Sequence, residues 1–193
     1  MELRERILEA AAQLYSETGF RGATTRRIAE RAGVNEITLF RHFGSKTRLL
    51  HEAIQCAGLF SHQCVLPEIP SDVRAELSQW AHQSFRALRD RSSLIRTAMG
   101  EAEERPDILP PDRSPTVCAG REIYGYLARL QEAGRIPPVV DVRAAATMLL
   151  GTLFADAISR DVIPQLYPTS PEAAVDQYLD LFIRAIGVEE KTA

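Results

Sequence analysis

Apolar residues recur at intervals of three and four positions along most of the chain, which is the spacing of amphipathic α-helices. Glycine, proline and N-capping residues interrupt this pattern. The segment RPDILPPDRSP, residues 105–115, holds four prolines and cannot be helical throughout. The pattern predicts an all-α fold with two short helices within residues 24–46 and longer helices over residues 2–18, 46–65, 72–90, 92–104, 116–133, 142–159 and 171–186.

Residues 24–46 (TTRRIAERAGVNEITLFRHFGSK) have the pattern of two short helices joined by a tight turn. Ile28 and Ala29 lie on the apolar stripe of the first helix, and the small Ala29 suits the closest approach of two steeply crossing helices. Gly33 stands where the turn needs a positive φ, and Asn35 is a good N-cap for the second helix. This pattern predicts a helix-turn-helix, whose second helix lies in the major groove of DNA.

The second helix of this motif carries polar side chains on the faces that its inward residues leave free. Leu39 and Phe43 are expected to point inward. Thr38, Arg41 and His42 can hydrogen-bond to bases or phosphates, and the amides that begin the first helix can hold a phosphate. The residues expected to contact DNA are Thr24, Thr25, Arg26, Arg27, Asn35, Glu36, Ile37, Thr38, Phe40, Arg41, His42 and Lys46.

This stretch resembles the DNA-binding domain of the TetR family of bacterial transcriptional regulators, whose pattern runs T…IA…AGV…TLY.HF.SK..L. The match covers about the first fifty residues, in spacing as well as residue type. It falls on Thr24/Thr25, Ile28-Ala29, Ala32-Gly33-Val34, Thr38-Leu39-Phe40, His42-Phe43, Ser45-Lys46 and Leu49. Phe40 replaces the usual tyrosine, so a hydrogen bond from a phenol to phosphate is lost. Ile37 replaces a small residue or proline and offers a methyl-rich contact, for instance to thymine.

The resemblance implies two domains and a regulatory function. The helix-turn-helix domain would occupy residues 1–45, and a helical domain for effector binding and dimerisation would occupy residues 46–193. The helix over residues 46–65 would connect the two. The implied function is a ligand-responsive transcriptional regulator, which is a repressor that a small organic effector releases from its operator.

The implied effector pocket would be lined by aromatic, thioether and thiol side chains of the second domain. Each of these residues could equally be part of the core, but as a set they resemble an apolar pocket with few polar anchors. The candidates are Phe60, Cys64, Trp80, Phe85, Met99, Tyr124, Tyr126, Met148 and Phe154.

The last two predicted helices are unusually apolar and need a packing partner. Small residues recur three or four positions apart on the helix over residues 142–159, so one of its faces is flat. The resemblance implies a four-helix interface between two copies of the chain. The residues expected in this homodimer interface are Ala144, Thr147, Met148, Gly151, Ala155, Val175, Tyr178, Leu179 and Phe182.

Composition fits a soluble protein that binds nucleic acid at one end. No run approaches the ~18 unbroken apolar residues of a membrane helix, and the first residues lack the apolar core of a signal peptide. We therefore expect a cytoplasmic protein. Residues 1–50 carry nine Lys/Arg and six acidic residues, although the whole chain has a net charge of −3. The positive charge is thus concentrated in the segment expected to bind DNA.

The sequence contains no catalytic signature, so we expect neither an enzyme nor a cofactor. Nucleophile elbow, P-loop and glycine-rich dinucleotide motifs are absent. Glu101, Glu103 and Glu104 cluster at a predicted helix end without a histidine at metal-ligand spacing. We interpret them as solvated surface and expect no metal site.

Two other classes of function stay open from the residues alone. One is a regulator that responds to a protein partner, or to oxidation of Cys56, Cys64 or Cys118. These thiols have no metal-site or disulfide pattern and are best interpreted as buried and reduced. The other is an enzyme with an ancestral DNA-binding head, which is disfavoured because no reacting constellation can be named.

Overall fold

The computed structural model describes residues 2–59, 66–106 and 115–188. Within these ranges the secondary structure is entirely helical, with nine α-helices, one short 3-10 turn and no strand. The helices are α1 (Leu3–Gly22), α2 (Thr25–Ala32), α3 (Glu36–Phe43), α4 (Lys46–Leu59), α5 (Val73–Asp90), α6 (Ser92–Glu101), α7 (Pro115–Glu132), α8 (Val142–Ser159) and α9 (Pro171–Ile186), with the 3-10 turn at Pro164–Leu166.

The all-α prediction is confirmed, and most helix boundaries agree within about two residues. Helix α6 ends at Glu101, three residues before the predicted end. Helix α1 continues to Gly22 with a break at Gly19, the position predicted to end it. The predicted continuation of α4 over residues 60–65 lies outside the described residues.

The chain forms two compact units, and the first is built from two separate segments. Unit 1 comprises Met1–Ser61 together with Arg91–Pro115, and unit 2 comprises His62–Asp90 together with Thr116–Ala193. This division differs from the predicted boundary at residue 45, because α4 and α6 share a core with the helix-turn-helix. The buried apolar residues of unit 1 include Ile7, Leu14, Tyr15, Ile28, Leu39, Phe43, Leu49, Leu50, Leu94 and Ala98.

Unit 2 contains α5, α7, α8 and α9 around its own apolar core. Two aromatic residues at its centre are fully buried, and each satisfies its polar atom through a glutamate. The indole Nε1 of Trp80 donates to Glu122 at 3.2 Å, and the hydroxyl of Tyr126 donates to Glu76 at 2.5 Å. Burial, and then the hydrogen bond to Glu76, raise the pKa of the Tyr126 phenol. The core is therefore built around hydrogen-bonded aromatics.

A buried ion pair ties the end of α8 to the loop that follows it and to α9. Asp156 is 1 % exposed, and its carboxylate accepts two hydrogen bonds of 2.7 Å from the Arg160 guanidinium. Arg160 also donates to the backbone carbonyls of Tyr167 and Thr169. The Tyr178 hydroxyl of α9 donates to the same carboxylate at 2.7 Å. The charges are thus paired and hydrogen-bonded, which is the condition for burying them.

Candidate nucleic-acid interface

Local capping and one glycine set the geometry of α2 and α3. The Thr24 hydroxyl accepts a hydrogen bond from the Arg27 amide at 3.3 Å and caps α2. Gly33 ends α2 with φ 66° and ψ 40°, the left-handed conformation that the turn requires. The Asn35 side chain accepts from the Ile37 amide at 2.9 Å and caps α3. The predicted turn at Gly33 and the predicted cap at Asn35 are confirmed, and the motif is a helix-turn-helix.

Helix α3 buries one face and presents the other to solvent. Leu39 and Phe43 are 1 % and 2 % exposed, as predicted. On the opposite side, Ile37 is 74 % and Phe40 is 48 % exposed, and Arg41 is also exposed. Large apolar side chains left open in this way on a short helix are available for contact with another molecule.

Hydrogen bonds fix the polar residues at the start of the two helices. The Thr25 hydroxyl donates to the Glu36 carboxylate, which links the first turn of α2 to that of α3. Arg27 donates to the Gly22 carbonyl at 2.8 Å. Arg26 pairs with Glu30 at 3.1 Å with both side chains exposed, so this pair can open at little cost when another anion approaches.

Lys46 begins α4 directly after the two-residue turn that follows α3. Its ammonium lies 4.3 Å from the centre of the Phe20 ring and is partly buried. Burial, and then the positive charge of Arg105, lower the pKa of Lys46. The guanidinium of Arg105 lies 3.5 Å from the centre of the same ring. The contact of Arg105 with Phe20 could not be predicted from sequence, because Arg105 is distant in the chain and lies in a proline-rich segment.

The interpretation of the acidic cluster at the end of α6 needs one correction. Glu103 and Glu104 are exposed, as expected. Glu101 is not simply solvated, because its carboxylate accepts hydrogen bonds of 2.9 Å from the buried Tyr15 hydroxyl and from the Phe20 amide. These partners lie more than eighty residues earlier in the chain, so periodicity could not reveal them.

Comparison with known proteins decides the family. The family model described as bacterial regulatory proteins, tetR family, matches residues 7–53. The uncharacterized HTH-type transcriptional regulator YvkB of Bacillus subtilis is 31% identical over 186 residues, which cover 96% of this chain and 97% of that protein. The chain belongs to the TetR family. It is accordingly a DNA-binding transcriptional regulator of the helix-turn-helix type. Members of the TetR family are generally not enzymes.

One further relative and one solved structure extend the comparison. The tetracycline repressor protein class C of Escherichia coli is 35% identical over 85 residues, or 44% of this chain and 39% of that protein. The crystal structure of FadR from Bacillus subtilis in complex with stearoyl-CoA has a TM-score of 0.72 at 22% identity, covering 96% of this chain and 99% of that chain. The FadR likeness shows that the fold is shared.

The TetR-family chain does not bring the predicted effector residues into one described cavity. Phe60 and Cys64 lie outside the described residues, Met99 belongs to α6 of unit 1, and Met148 is 54 % exposed. Phe85, like Trp80 and Tyr126, is buried in the core of unit 2. Tyr124 and Phe154 line an open groove of about 400 Å³ between α7 and α8, and Arg121 and Arg143 are also among its lining residues. The pocket therefore stays a prediction.

The predicted dimer residues divide between a surface and a core. Ala144, Thr147, Met148, Gly151 and Ala155 are all exposed on one face of α8. On α9, by contrast, Val175, Leu179 and Phe182 are at most 3 % exposed, because they pack into the core of their own unit. Tyr178 is half-buried against Asp156. The large apolar residue that α9 exposes is Leu181, at 62 %. Val175, Leu179 and Phe182 thus cannot contact a second chain unless they leave the core of unit 2.

Helix α8 is strongly apolar for a helix with an exposed face. By length and composition alone, Val142–Ser159 could cross a membrane, with a mean hydropathy of 1.3, and it is 33% buried within the described chain. Its first turn is capped by Asp141, whose carboxylate accepts from the Arg143 and Ala144 amides at 2.9 and 3.1 Å. An apolar helix with this much exposed surface is typical of a site that packs against another molecule.

Proposed function

We propose that this TetR-family regulator is a cytoplasmic repressor that binds duplex operator DNA as a homodimer and is released by a small organic effector. The observation that carries the proposal is the open face of α3, where Ile37, Phe40 and Arg41 are exposed beside a correctly capped helix-turn-helix. A recognition helix of this kind reads base edges in the major groove.

The residues divide by the DNA group that each would contact. Thr38, Arg41 and His42 would read bases in part, and Ile37 would meet an apolar base edge. Arg26, Arg27 and the capping hydroxyl of Thr24 would act on phosphates near the start of α2, where the helix amides also point. The remaining contacts would come from Thr25, Asn35, Glu36, Phe40 and Lys46.

Dimerisation would cover the apolar face of α8 with its counterpart from a second copy. The support is the row of small exposed residues from Ala144 to Ala155, which allows two helices to approach closely. Leu181 of α9 would extend the same interface. A two-fold dimer would place its two recognition helices about one helical turn of DNA apart, ~34–36 Å, or a multiple of that distance.

The effector is proposed from the aromatic content of unit 2 and from the relatives. The tetracycline repressor and the FadR bound to stearoyl-CoA are each named with a small organic molecule. We extend that class of ligand, and no particular compound, to this chain. Effector binding would lower operator affinity by favouring a conformation that mismatches the spacing of the DNA grooves.

DNA binding is tested by letting the protein select a duplex from a random-sequence library and then measuring its affinity for that duplex. The logarithm of the binding constant should fall linearly with the logarithm of salt concentration. Arg41→Ala should weaken binding and relax the preference at one base position by about 1–3 kcal/mol. The matched control is Arg121→Ala, an exposed arginine of unit 2, which should bind like the wild type. Failure to select any sequence would overturn the proposal.

Linkage tests the effector part of the proposal. A thermal-shift screen first finds a compound that raises the melting temperature. Calorimetric titration with and without the selected duplex then measures the affinity of the protein for the compound. Bound DNA should lower this affinity by the same factor by which the bound compound lowers the affinity for DNA. Equal affinity for the compound in both titrations would refute effector-gated repression while leaving DNA binding intact.

A further inference from the structure

Helix α1 is broken at a single residue near its end. Gly19 has φ 65° and ψ −175°, a conformation open essentially to glycine alone. The break interrupts the regular ladder in which each amide donates to the carbonyl four residues earlier. A buried backbone group released in this way must find another partner.

Helix α6 supplies partners for both sides of the break. The Ser16 carbonyl accepts from the hydroxyls of Ser93 and Thr97 at 3.4 and 3.3 Å. On the other side, the Phe20 amide donates to Glu101 at 2.9 Å. All of these residues belong to unit 1. The end of α1 is therefore completed by side chains of α6.

Glu101 is the member of this set that accepts two hydrogen bonds from α1. One carboxylate oxygen accepts from the Phe20 amide, and the other accepts from Tyr15, whose side chain is fully buried. A Cβ placed on Gly19 would lie 2.7 Å from the first oxygen, so the carboxylate approaches the backbone as closely as glycine permits. Hydrogen bonds to a charged acceptor are stronger than those between neutral groups.

The Phe20 ring contacts Lys46, a residue expected to bind DNA. The Lys46 ammonium lies 4.3 Å from its centre and the Arg105 guanidinium 3.5 Å from it. Cations are attracted to the face of an aromatic ring. The carboxylate thus fixes the backbone of Phe20, and the ring fixes the first residue of α4.

We propose that Glu101 is a positioning residue for DNA binding, which acts through Phe20 to hold the Lys46 ammonium where a phosphate of the operator can reach it. The inference rests on the proposed DNA-binding function. Its consequence is that α6, although it lies far from the helix-turn-helix in sequence, helps to position a residue that contacts DNA.

Glu101→Gln tests the proposal, because it keeps the size of the side chain and removes its charge and one acceptor. Affinity for the library-selected duplex should fall roughly tenfold, and the salt slope should become shallower by about one counterion. Glu104→Gln, an exposed residue three positions away with the same change of charge, should leave both unchanged. Equal behaviour of the two variants would overturn the proposal.

A double-mutant cycle shows whether Glu101 acts through Lys46. Combining Glu101→Gln with Lys46→Ala should weaken binding no further than Lys46→Ala alone, whereas additive losses would contradict the coupling. Phe20→Leu keeps the amide and removes the ring, so it should reproduce the loss of affinity in a protein with its α1 break still completed. Wild-type affinity of Phe20→Leu would also overturn the proposal.

Amide hydrogen exchange of the free protein separates this inference from the proposed function. The Phe20 amide should be protected in the wild type and in Glu104→Gln, and it should exchange faster in Glu101→Gln. If the wild type binds no duplex, the proposed function fails and the inference fails with it. If the wild type binds but Phe20 protection is unaffected by Glu101→Gln, only the inference fails.

Discussion

Ile37 offers a direct test of how α3 meets DNA. The residue lies in the first turn of α3, and 74 % of its surface is exposed. The N-terminal residues of a recognition helix contact base edges, and the C5-methyl group of thymine is the apolar group of the major groove. We predict that Ile37→Ala weakens operator binding by removing a contact with that methyl group.

The exposed fraction limits the size of the effect. Ile→Ala deletes three carbons, and burial of each contributes about 0.8 kcal/mol. Only the 74 % that is exposed in the free chain can become newly buried, so the loss is at most about 1.8 kcal/mol, or roughly 20-fold per half-site. Because the side chain packs little in the free protein, the same substitution should change the free energy of unfolding by less than about 0.5 kcal/mol.

The assay is fluorescence anisotropy with the selected duplex, in which each thymine is replaced in turn by deoxyuridine. Deoxyuridine lacks only the methyl group. The wild type should lose affinity at one position of each half-site, and Ile37→Ala should be indifferent at that position. The matched control is Ile69→Ala in unit 2, whose side chain is 86 % exposed. Sensitivity of Ile37→Ala to every deoxyuridine that affects the wild type would refute the reasoning.

Four further predictions concern stability and assembly. Asp156→Asn should lower the free energy of unfolding by about 3–5 kcal/mol in chemical denaturation, because it leaves a buried guanidinium without its counter-charge; an unchanged midpoint would contradict this. Burial, and then the hydrogen bond to Asp156, raise the pKa of Tyr178 to about 12. The stability that this shift contributes below pH ~10 should therefore be lost as the pH rises towards 12, and the loss should be smaller in Tyr178→Phe. Gly33→Ala should cost about 1–2 kcal/mol because its φ is 66°, whereas the helical Gly100→Ala should be neutral or stabilising in the same melt. Gly151→Arg should give monomers in sedimentation, since nothing in its own chain lies within 4 Å of a Cβ there; Gly100→Arg, equally open, should stay dimeric, and dimers of both would place the interface elsewhere.

Local chemistry made the helix-turn-helix predictable from sequence. The cap of α3 at Asn35 and the turn at Gly33 depend on residues a few positions away, and each contact joins neighbours in the chain. The inward positions of Leu39 and Phe43 follow from helical spacing alone. The same is true of most helix boundaries, where capping residues and prolines mark the ends.

The outer face of α9 was harder to predict, because both sides of this helix carry apolar residues. Periodicity identified Val175, Leu179 and Phe182 as a stripe, and the structure uses that stripe for the core of unit 2. Which stripe meets the core depends on α5 and α8, and these packing partners cannot be assigned from the pattern of one helix. Leu181, left exposed, is distinguished only once the fold is known.

Glu101 shows a second limit. Three glutamates in one short stretch look alike in sequence, and two of them are exposed. The third has partners at Tyr15 and Phe20. Contacts over such a separation depend on the packing of α6 against α1, which a helical pattern does not specify.

The two-segment construction of unit 1 has a consequence for how the protein is made. Synthesis proceeds from the N-terminus, so α1 to α4 leave the ribosome before α6 exists. Until Leu94 and Ala98 have been added, part of the apolar surface of α1 has no cover, and such surfaces are prone to aggregation. The core of unit 1 can therefore be completed only after about thirty residues of unit 2 have been translated. A gene fragment that stops after α4 encodes an incomplete unit 1.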